Sequence, residues 1–405
     1  GVELNIGVKH WAPTGNEADL EFADFVEFYA QDPEIGVIAA YIEGFKSIDR
    51  LRAAAEVAAR AGKPIVLVKI GRTEAGQKMA MAHTGHLTGS DAVHDAFFRQ
   101  YGIIRVDDLD ELLETAAMFC RMPRPSEGRE GVCIYAISGG TGAHVADLCA
   151  HAGLSLPTLS EETQERLREL IPDYLTVSNP VDNGAQSVRK PGANRQLMEI
   201  PLEDPNVGVL LCPITGILPS MSKIVTADIV DAYKASKKPV VAIWGSPVTD
   251  EEGYRILIEG QVPMFRSFRA AVTGLRRWLD YWRWQGSFEP RPQTTARVPE
   301  GLETILAGSG PLSEMDSATV ASNYSIPFPW SDVAEDAEGA ARLARRRGPT
   351  VVMKACGPAI LHKSDAGLVR VGVAVEDAGS VFAELESKAR ALAGDGGYEG
   401  VLVQP

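Results

Sequence analysis

An α/β fold is what this sequence predicts: two doubly wound parallel-sheet domains, then a smaller region where helix and strand alternate around a mixed sheet. Three observations carry it. "DPEIGVIAAYIEG" (32–44) and "KPIVLVKIGR" (63–72) are continuous apolar runs joined by an Ala-rich helical stretch. "DPNVGVLLCPITG" (204–216) and "KPVVAIWGSP" (238–247) repeat that pattern. Apolar runs without polar alternation, separated by helices, are strands buried on both faces of a parallel sheet. The third observation is a change of character after "QGSFEPRPQTTARVPEG", a polar, Pro-rich stretch that reads as a linker.

In order, "DDLDELLETAAMF" (107–119) predicts an amphipathic helix with an acidic start that closes the first domain. "RMPRPSEGREG" then reads as a linker. "VCIYAI" opens the second domain as a strand, and the Trp-rich "LRRWLDYWRW" (275–284) ends it as a packed helix. In the third region "SEMDSATVASNYSIPFP" predicts a helix and a turn, and "DAEGAARLARRRG" a helix. "PTVVMKA", "GLVRVGVAV" and "GVLVQP" predict strands. The expected domains are 1–122 and 131–285, a linker at 286–300 and a last domain at 301–405, forming three compact units. The chain opens on "GVELNIGVKHW" without an initiator Met and closes on the strand-like "GYEGVLVQP", so it reads as part of something longer.

Of the 405 residues, 45% are hydrophobic and 23% charged, the range of soluble globular protein. A formal net charge of −14 argues against nucleic acid or an anionic membrane as a main partner. It leaves room for an anionic substrate, because a helix N-terminus binds anions locally. Five cysteines (Cys120, Cys133, Cys149, Cys212, Cys356) lack metal-ligand spacing and read as buried thiols of a cytoplasmic protein.

Three stretches carry chemistry. "ISGGTGAHVADLCAHAG" (137–153) is a strand, a Gly-rich turn and a helix. Gly139, Gly140, Thr141 and Gly142 let backbone N–H groups converge on a phosphate at the positive end of the helix. No Lys follows the last glycine, and a plain tight turn reads equally from the same residues. "MAMAHTGHLTGSD" (79–91) places His83 and His86, two of only seven histidines, among Gly, Ala and Thr. An exposed histidine is usually just solvated. His83 stands out beside Glu43 at a neighbouring strand end, since a carboxylate on one ring nitrogen frees the other as nucleophile. His94 falls on a helix beginning near Ser90. "KACGPAILHKSDAGLV" (354–369) follows a strand with Lys354 within reach of nucleotide phosphates. It then presents His362, Lys363 and Asp365 on a turn, which reads equally as a solvated charged turn.

"AHTGHLTGSDAVHDAFFRQYGIIRVDDLDEL", "ISGGTG", "SNPVDNGAQ" and "LHKSDAG" together resemble motifs of the nucleoside-diphosphate-forming acyl-CoA synthetases, relatives of succinyl-CoA synthetase, in that family's order. The resemblance spans nearly the whole chain. It implies two flavodoxin-like doubly wound domains followed by an ATP-grasp small lobe (α+β). It implies ATP-dependent, ADP-forming ligation of a small carboxylic acid to coenzyme A, with Mg²⁺, and a homodimer is expected. By this resemblance His83 carries the phosphoryl group, Glu43 orients it and Lys354 contacts ATP phosphates. His362 matches a second carrier proposed in some relatives. The CoA-binding domain, with the first strand and helix of the phosphohistidine domain, is expected before Gly1, and the large ATP-grasp lobe with its Mg²⁺ carboxylates beyond Pro405. One departure shows: the family often has Gly-Gly after "HKSD-x", whereas here Gly367 precedes Leu368. The rival readings are a non-catalytic acyl-CoA or nucleotide sensor, and a ligase coupled to a later lyase step.

Overall fold

The computed structural model describes residues 5–76, 78–79, 90–126, 128–184, 188, 192–215, 219–290, 298–308, 310–329, 331–394 and 397–405. Two compact units emerge, Gly1–Arg291 and Pro292–Pro405.

In the first unit β1 (Ile38–Ile42), β2 (Ile65–Lys69) and β3 (Ile103–Val106) form a parallel sheet in that order. A second parallel sheet has the order β5-β4-β6-β7-β8. Its strands are β4 (Val132–Ala136), β5 (Val181–Asp182), β6 (Val209–Ile214), β7 (Val240–Trp244) and β8 (Met264–Phe265). Every residue of β2, β6 and β7 is buried, as their unbroken apolar runs require. β1 departs from that expectation. It stands at the edge of the three-stranded order, and its Tyr41 is 54% exposed.

The repeated Asp-Pro and Lys-Pro pairs have one physical explanation. Asp32 Oδ1 accepts from the Glu34 N–H at 2.9 Å, and Asp204 Oδ1 from the Asn206 N–H at 2.7 Å, so each aspartate folds its own turn before a strand. Each Lys-Pro lysine then fastens that turn. Lys63 Nζ donates to the Asp32 carbonyl, and Lys238 Nζ to the Asp204 carbonyl at 2.6 Å. Between β1 and β2 the helix Ile48–Arg60 starts on a Ser47 cap, whose Oγ accepts from the Arg50 N–H at 3.2 Å. It buries Leu51, Ala54, Ala55 and Ala58, one stripe at helical spacing, against the helix Phe22–Gln31.

The two flavodoxin-like halves do not stand apart. The helix Phe268–Gly286 presents Ala271, Leu275, Trp278 and Leu279 to a core built from both sheets. Val66, Val68, Ile104 and Met118 enter it from one half, and Ile134, Val209, Val241 and Phe265 from the other. At the same seam Trp284 Nε1 donates to the Gln100 carbonyl at 3.1 Å, and its ring lies where a side chain at Gly102 (φ +65°) would stand. Arg124, in the expected linker, lies over the Trp282 ring at 4.5 Å. Apolar surface on both sheets is covered by this one shared helix, so the first two expected domains pack as halves of one compact unit.

In the second unit β9 (Asp332–Ala334), β10 (Thr350–Cys356), β11 (Val369–Ala374) and β12 (Gly400–Gln404) form a sheet ordered β11-β10-β12-β9, antiparallel throughout. The mixed sheet expected from alternating helix and strand is corrected here. The helix Ala337–Arg347 lies between β9 and β10, and the helix Ala378–Ala393 between β11 and β12. Each connection skips one place in the sheet, so two βαβ units interleave and every neighbour runs the opposite way.

Cys133, Cys149, Cys212 and Cys356 are buried free thiols, but Cys120 is exposed, against expectation. It sits in the last turn of the helix Leu109–Arg121, where the buried stripe has ended. No described helix is long and apolar enough to cross a membrane.

Candidate functional site

Ligands of open parallel sheets sit outside the strand carboxyl ends. In the first unit those ends carry several functional groups. The helix Gly139–His151 begins three residues after β4. Its N-cap Ser138 makes no side-chain cap, and no acidic residue stands in its first turn. Ser138, Gly139 and Gly140 are exposed, so the positive helix end opens outward, as an anion site requires. Thr141 Oγ1 lies 3.4 Å from Thr215 Oγ1, at the end of β6. Gly139 has a steric reason: a Cβ there would stand 2.6 Å from Asp182 Oδ2. Gly142 is buried against Ala136 and Pro180. Asp182 is a group that sequence reasoning passed over, although it lies inside the quoted "SNPVDNGAQ". Its carboxylate accepts from the Gly184 N–H at 2.9 Å and borders the helix start.

Glu43, one residue beyond β1, is half-buried. His83 and His86 lie outside the described residues. Near Glu43 the end of β2 supplies Lys69, 3% exposed, whose Nζ donates to the Ile70 carbonyl at 2.6 Å. Burial, with the nearby Arg105 cation, holds its ammonium below the usual lysine range. The signal was present, since Lys69 is the one charge ending the run "IVLV". Arg105 on β3 ties Asp91 at 2.7 Å and Asp95 at 2.6 Å, both on the helix Asp91–Tyr101, and donates to the Lys69 carbonyl at 3.1 Å. His94 lies on that helix as expected. Burial and the Lys69 and Arg105 charges keep its imidazole below the ordinary range.

Beyond β3, β7 and β8 lies a cavity of about 390 Å³. Asp108, Asp110, Glu111 and Glu114 line it from one half, and Ser246, Arg266 and Arg269 are among the residues from the other. Glu114 is 3% exposed, and burial pushes its carboxyl up to about 7.

In the second unit Lys354 is on β10, as read from the sequence. Its Nζ meets Glu314 Oε1 at 3.1 Å, while Lys363 Nζ meets Glu314 Oε2 at 2.6 Å. Burial alone would raise the Glu314 carboxyl, but the hydrogen bonds from Lys363 and Lys354 outweigh it and hold it below the ordinary range. Sequence reasoning missed Glu314 because its partners lie 40 and 49 positions away. His362 is exposed on the turn that leads to Gly367 (φ +67°). The departure at Leu368 has a packing reason: it is buried with Ala355, Ile360 and Ala389 in a small core of its own. Among the described residues no group of three or more His, Cys, Asp or Glu is arranged to hold a metal ion.

Residues 2–119 match the succinyl-CoA ligase like flavodoxin domain, 132–279 the ligase-CoA domain and 304–405 the ATP-grasp domain. The chain is 30% identical to the ADP-forming acetate–CoA ligase I of Archaeoglobus fulgidus over 98% of its own length and 57% of that protein's. It is 29% identical to the ADP-forming 4-hydroxybutyrate–CoA ligase of Nitrosopumilus maritimus, over 91% of this chain and 53% of the relative. A solved structure of a dinucleotide-forming acetyl-coenzyme A synthetase 1 from Ca. Korarchaeum cryptofilum, in complex with phosphate and ADP, superposes with a TM-score of 0.62 at 28% identity. The match covers 72% of this chain and 63% of that one. The chain thus spans between half and two thirds of the length of these relatives. With two flavodoxin-like sheets, a match to the ATP-grasp domain after them and ADP-forming acid–CoA ligases among its relatives, the chain belongs to the ADP-forming acyl-CoA synthetase family.

Proposed function

We propose that the protein ligates a small carboxylic acid to coenzyme A at the expense of ATP, releasing ADP and phosphate. The observation that carries this reading is the glycine-rich helix start at Gly139–Gly142. It is exposed at Ser138–Gly140, without a side-chain cap and free of acidic residues in its first turn, with the Asp182 carboxylate at its border. Such a helix end stabilises a phosphoryl group through fixed dipoles that need no reorganisation. In this reading a His83 ring nitrogen attacks the γ-phosphorus of ATP, a P–N bond forms and ADP leaves. A carboxylate oxygen of the acid then attacks the phosphorus, which breaks the P–N bond and gives an acyl phosphate. The CoA thiolate attacks the acyl carbon, and phosphate departs. Glu43 orients the His83 ring, Gly139, Gly140, Thr141 and Gly142 cradle the phosphoryl group, and Lys354 meets nucleotide phosphates, with His362 as a second carrier. ATP and coenzyme A are the co-substrates, and Mg²⁺ neutralises nucleotide charge.

The named relatives act on acetate and on 4-hydroxybutyrate, so a short acid is the first substrate to try. That both are ligases favours ligation over a sensor or a coupled lyase. A cytoplasmic location, which the free thiols fit, and a homodimer, to be tested by sedimentation, complete the reading. The decisive experiment incubates the protein with γ-labelled ATP and Mg²⁺. Acid-labile, base-stable label is expected, and His83→Ala should lose both the label and acyl-CoA formation. Undiminished turnover in that variant rules out the carrier.

A further inference from the structure

We propose that Glu314 is a positioning residue for nucleotide phosphates: its carboxylate draws Lys354 and Lys363 together so that two ammonium groups address one diphosphate. The inference rests on the ATP-dependent reading above and extends it to a residue outside the motifs.

The geometry is specific. Glu314 is the first residue of the helix Glu314–Asn323, where the positive helix end favours an ionised carboxylate. Ser313, buried before it, fixes the helix start: its Oγ accepts from the Asp316 N–H at 3.2 Å. Lys354 arrives from β10 and Lys363 from the turn before β11. Each takes a different oxygen of the carboxylate, at 3.1 and 2.6 Å, with all three side chains mostly buried.

Two ammonium groups held this close repel each other unless an anion stands between them. Glu314 supplies that anion before nucleotide arrives, and the trio keeps one net positive charge. Each ammonium has three donors and gives one to Glu314, which leaves two on each for phosphate oxygens. The lysines are thereby ordered in advance, and long flexible side chains otherwise lose much entropy on binding.

The test compares the wild-type protein with Glu314→Gln, Glu314→Asp and Lys363→Met, with thermal melting to verify folding. Binding of fluorescently labelled ADP is read directly, and ligation is read as KM for ATP, kcat and KM for the acid. Glu314→Gln should weaken ADP binding and raise KM for ATP roughly tenfold, about one charge-assisted hydrogen bond, with kcat and the acid KM little changed. Glu314→Asp, which keeps the charge, should recover part of the loss. Combining Glu314→Gln with Lys363→Met should cost less than the sum of the two, as residues sharing one network do. If Glu314→Gln does not fold, Lys363→Met must still weaken ADP binding. Equal ADP binding in wild type, Glu314→Gln and Lys363→Met overturns the role of Glu314 alone. A wild-type protein that binds no ADP overturns the ATP-dependent reading as well.

Discussion

Replacing Glu114 by glutamine should remove a pH-dependent weakness at the seam between the two flavodoxin-like halves. Glu114 projects from the helix Leu109–Arg121, and its Oε1 accepts from the Arg266 N–H at 3.1 Å and from Arg266 Nε at 3.5 Å. Arg266 also pairs with Asp110 at 2.7 Å. Burial outweighs this help and lifts the Glu114 carboxyl from 4.5 to about 7. Moving the carboxyl from 4.5 to about 7 corresponds to about 3 kcal/mol, at roughly 1.4 kcal/mol per pH unit. The sign follows from proton binding. Between the two values the folded state holds a proton that the unfolded state has lost. The stabilisation is therefore complete below the unfolded value and is lost as pH rises through 7. Glutamine keeps the shape and an acceptor for Arg266 but has no proton to lose. From pH 5.5 to pH 8, Glu114→Gln should gain about 2 kcal/mol on the wild type, the share of the shift that falls in that window. Urea unfolding followed by tryptophan fluorescence measures this, since five of the six tryptophans (Trp11, Trp244, Trp278, Trp282, Trp284) lie in the first unit. Taking the difference between variant and wild type cancels the other titrating groups. A difference that stays flat across that range refutes the reasoning.

Two further perturbations probe the strand-end face. Gly139→Ala places a Cβ 2.6 Å from Asp182 Oδ2, so the carboxylate or the helix start must shift. Phosphoenzyme yield should drop at least roughly tenfold, in line with losing one oriented donor at such a site, while labelled ADP binds as before; an unchanged yield counts against the helix start as the phosphoryl cradle. Arg105→Ala takes its cation from Asp95 and leaves Asp91 only the longer contact to Arg72 at 3.4 Å, and should cost about 3 kcal/mol of unfolding free energy. A loss within about 0.5 kcal/mol, the size of an ordinary surface change, would show that these pairs do not fasten the helix Asp91–Tyr101.

Much of the architecture was legible in order along the chain. The repeated Asp-Pro and Lys-Pro runs announced β1, β2, β6 and β7, and "DDLDELLETAAMF" announced the helix Leu109–Arg121. Those features depend on neighbours within a few residues: apolar periodicity, a cap, a glycine turn. Lys354 on its strand and the glycines at a helix start were read in the same way. Tertiary packing decided the rest. Nothing local says that the helix Phe268–Gly286 covers both sheets, because the stripe that marks it as buried does not name its partner. Alternating helix and strand in the last region reads as a mixed sheet, and only the strand order made it antiparallel throughout. Leu368 looked like a departure from a glycine motif until Ala355, Ile360 and Ala389 closed around it. Glu114 and Glu314 are two ordinary glutamates in helical stretches of the sequence. Burial at a seam raised the first, and two lysines from distant elements lowered the second. The free energy of a charge is set by what surrounds it in space, and those surroundings exist only once the chain has folded.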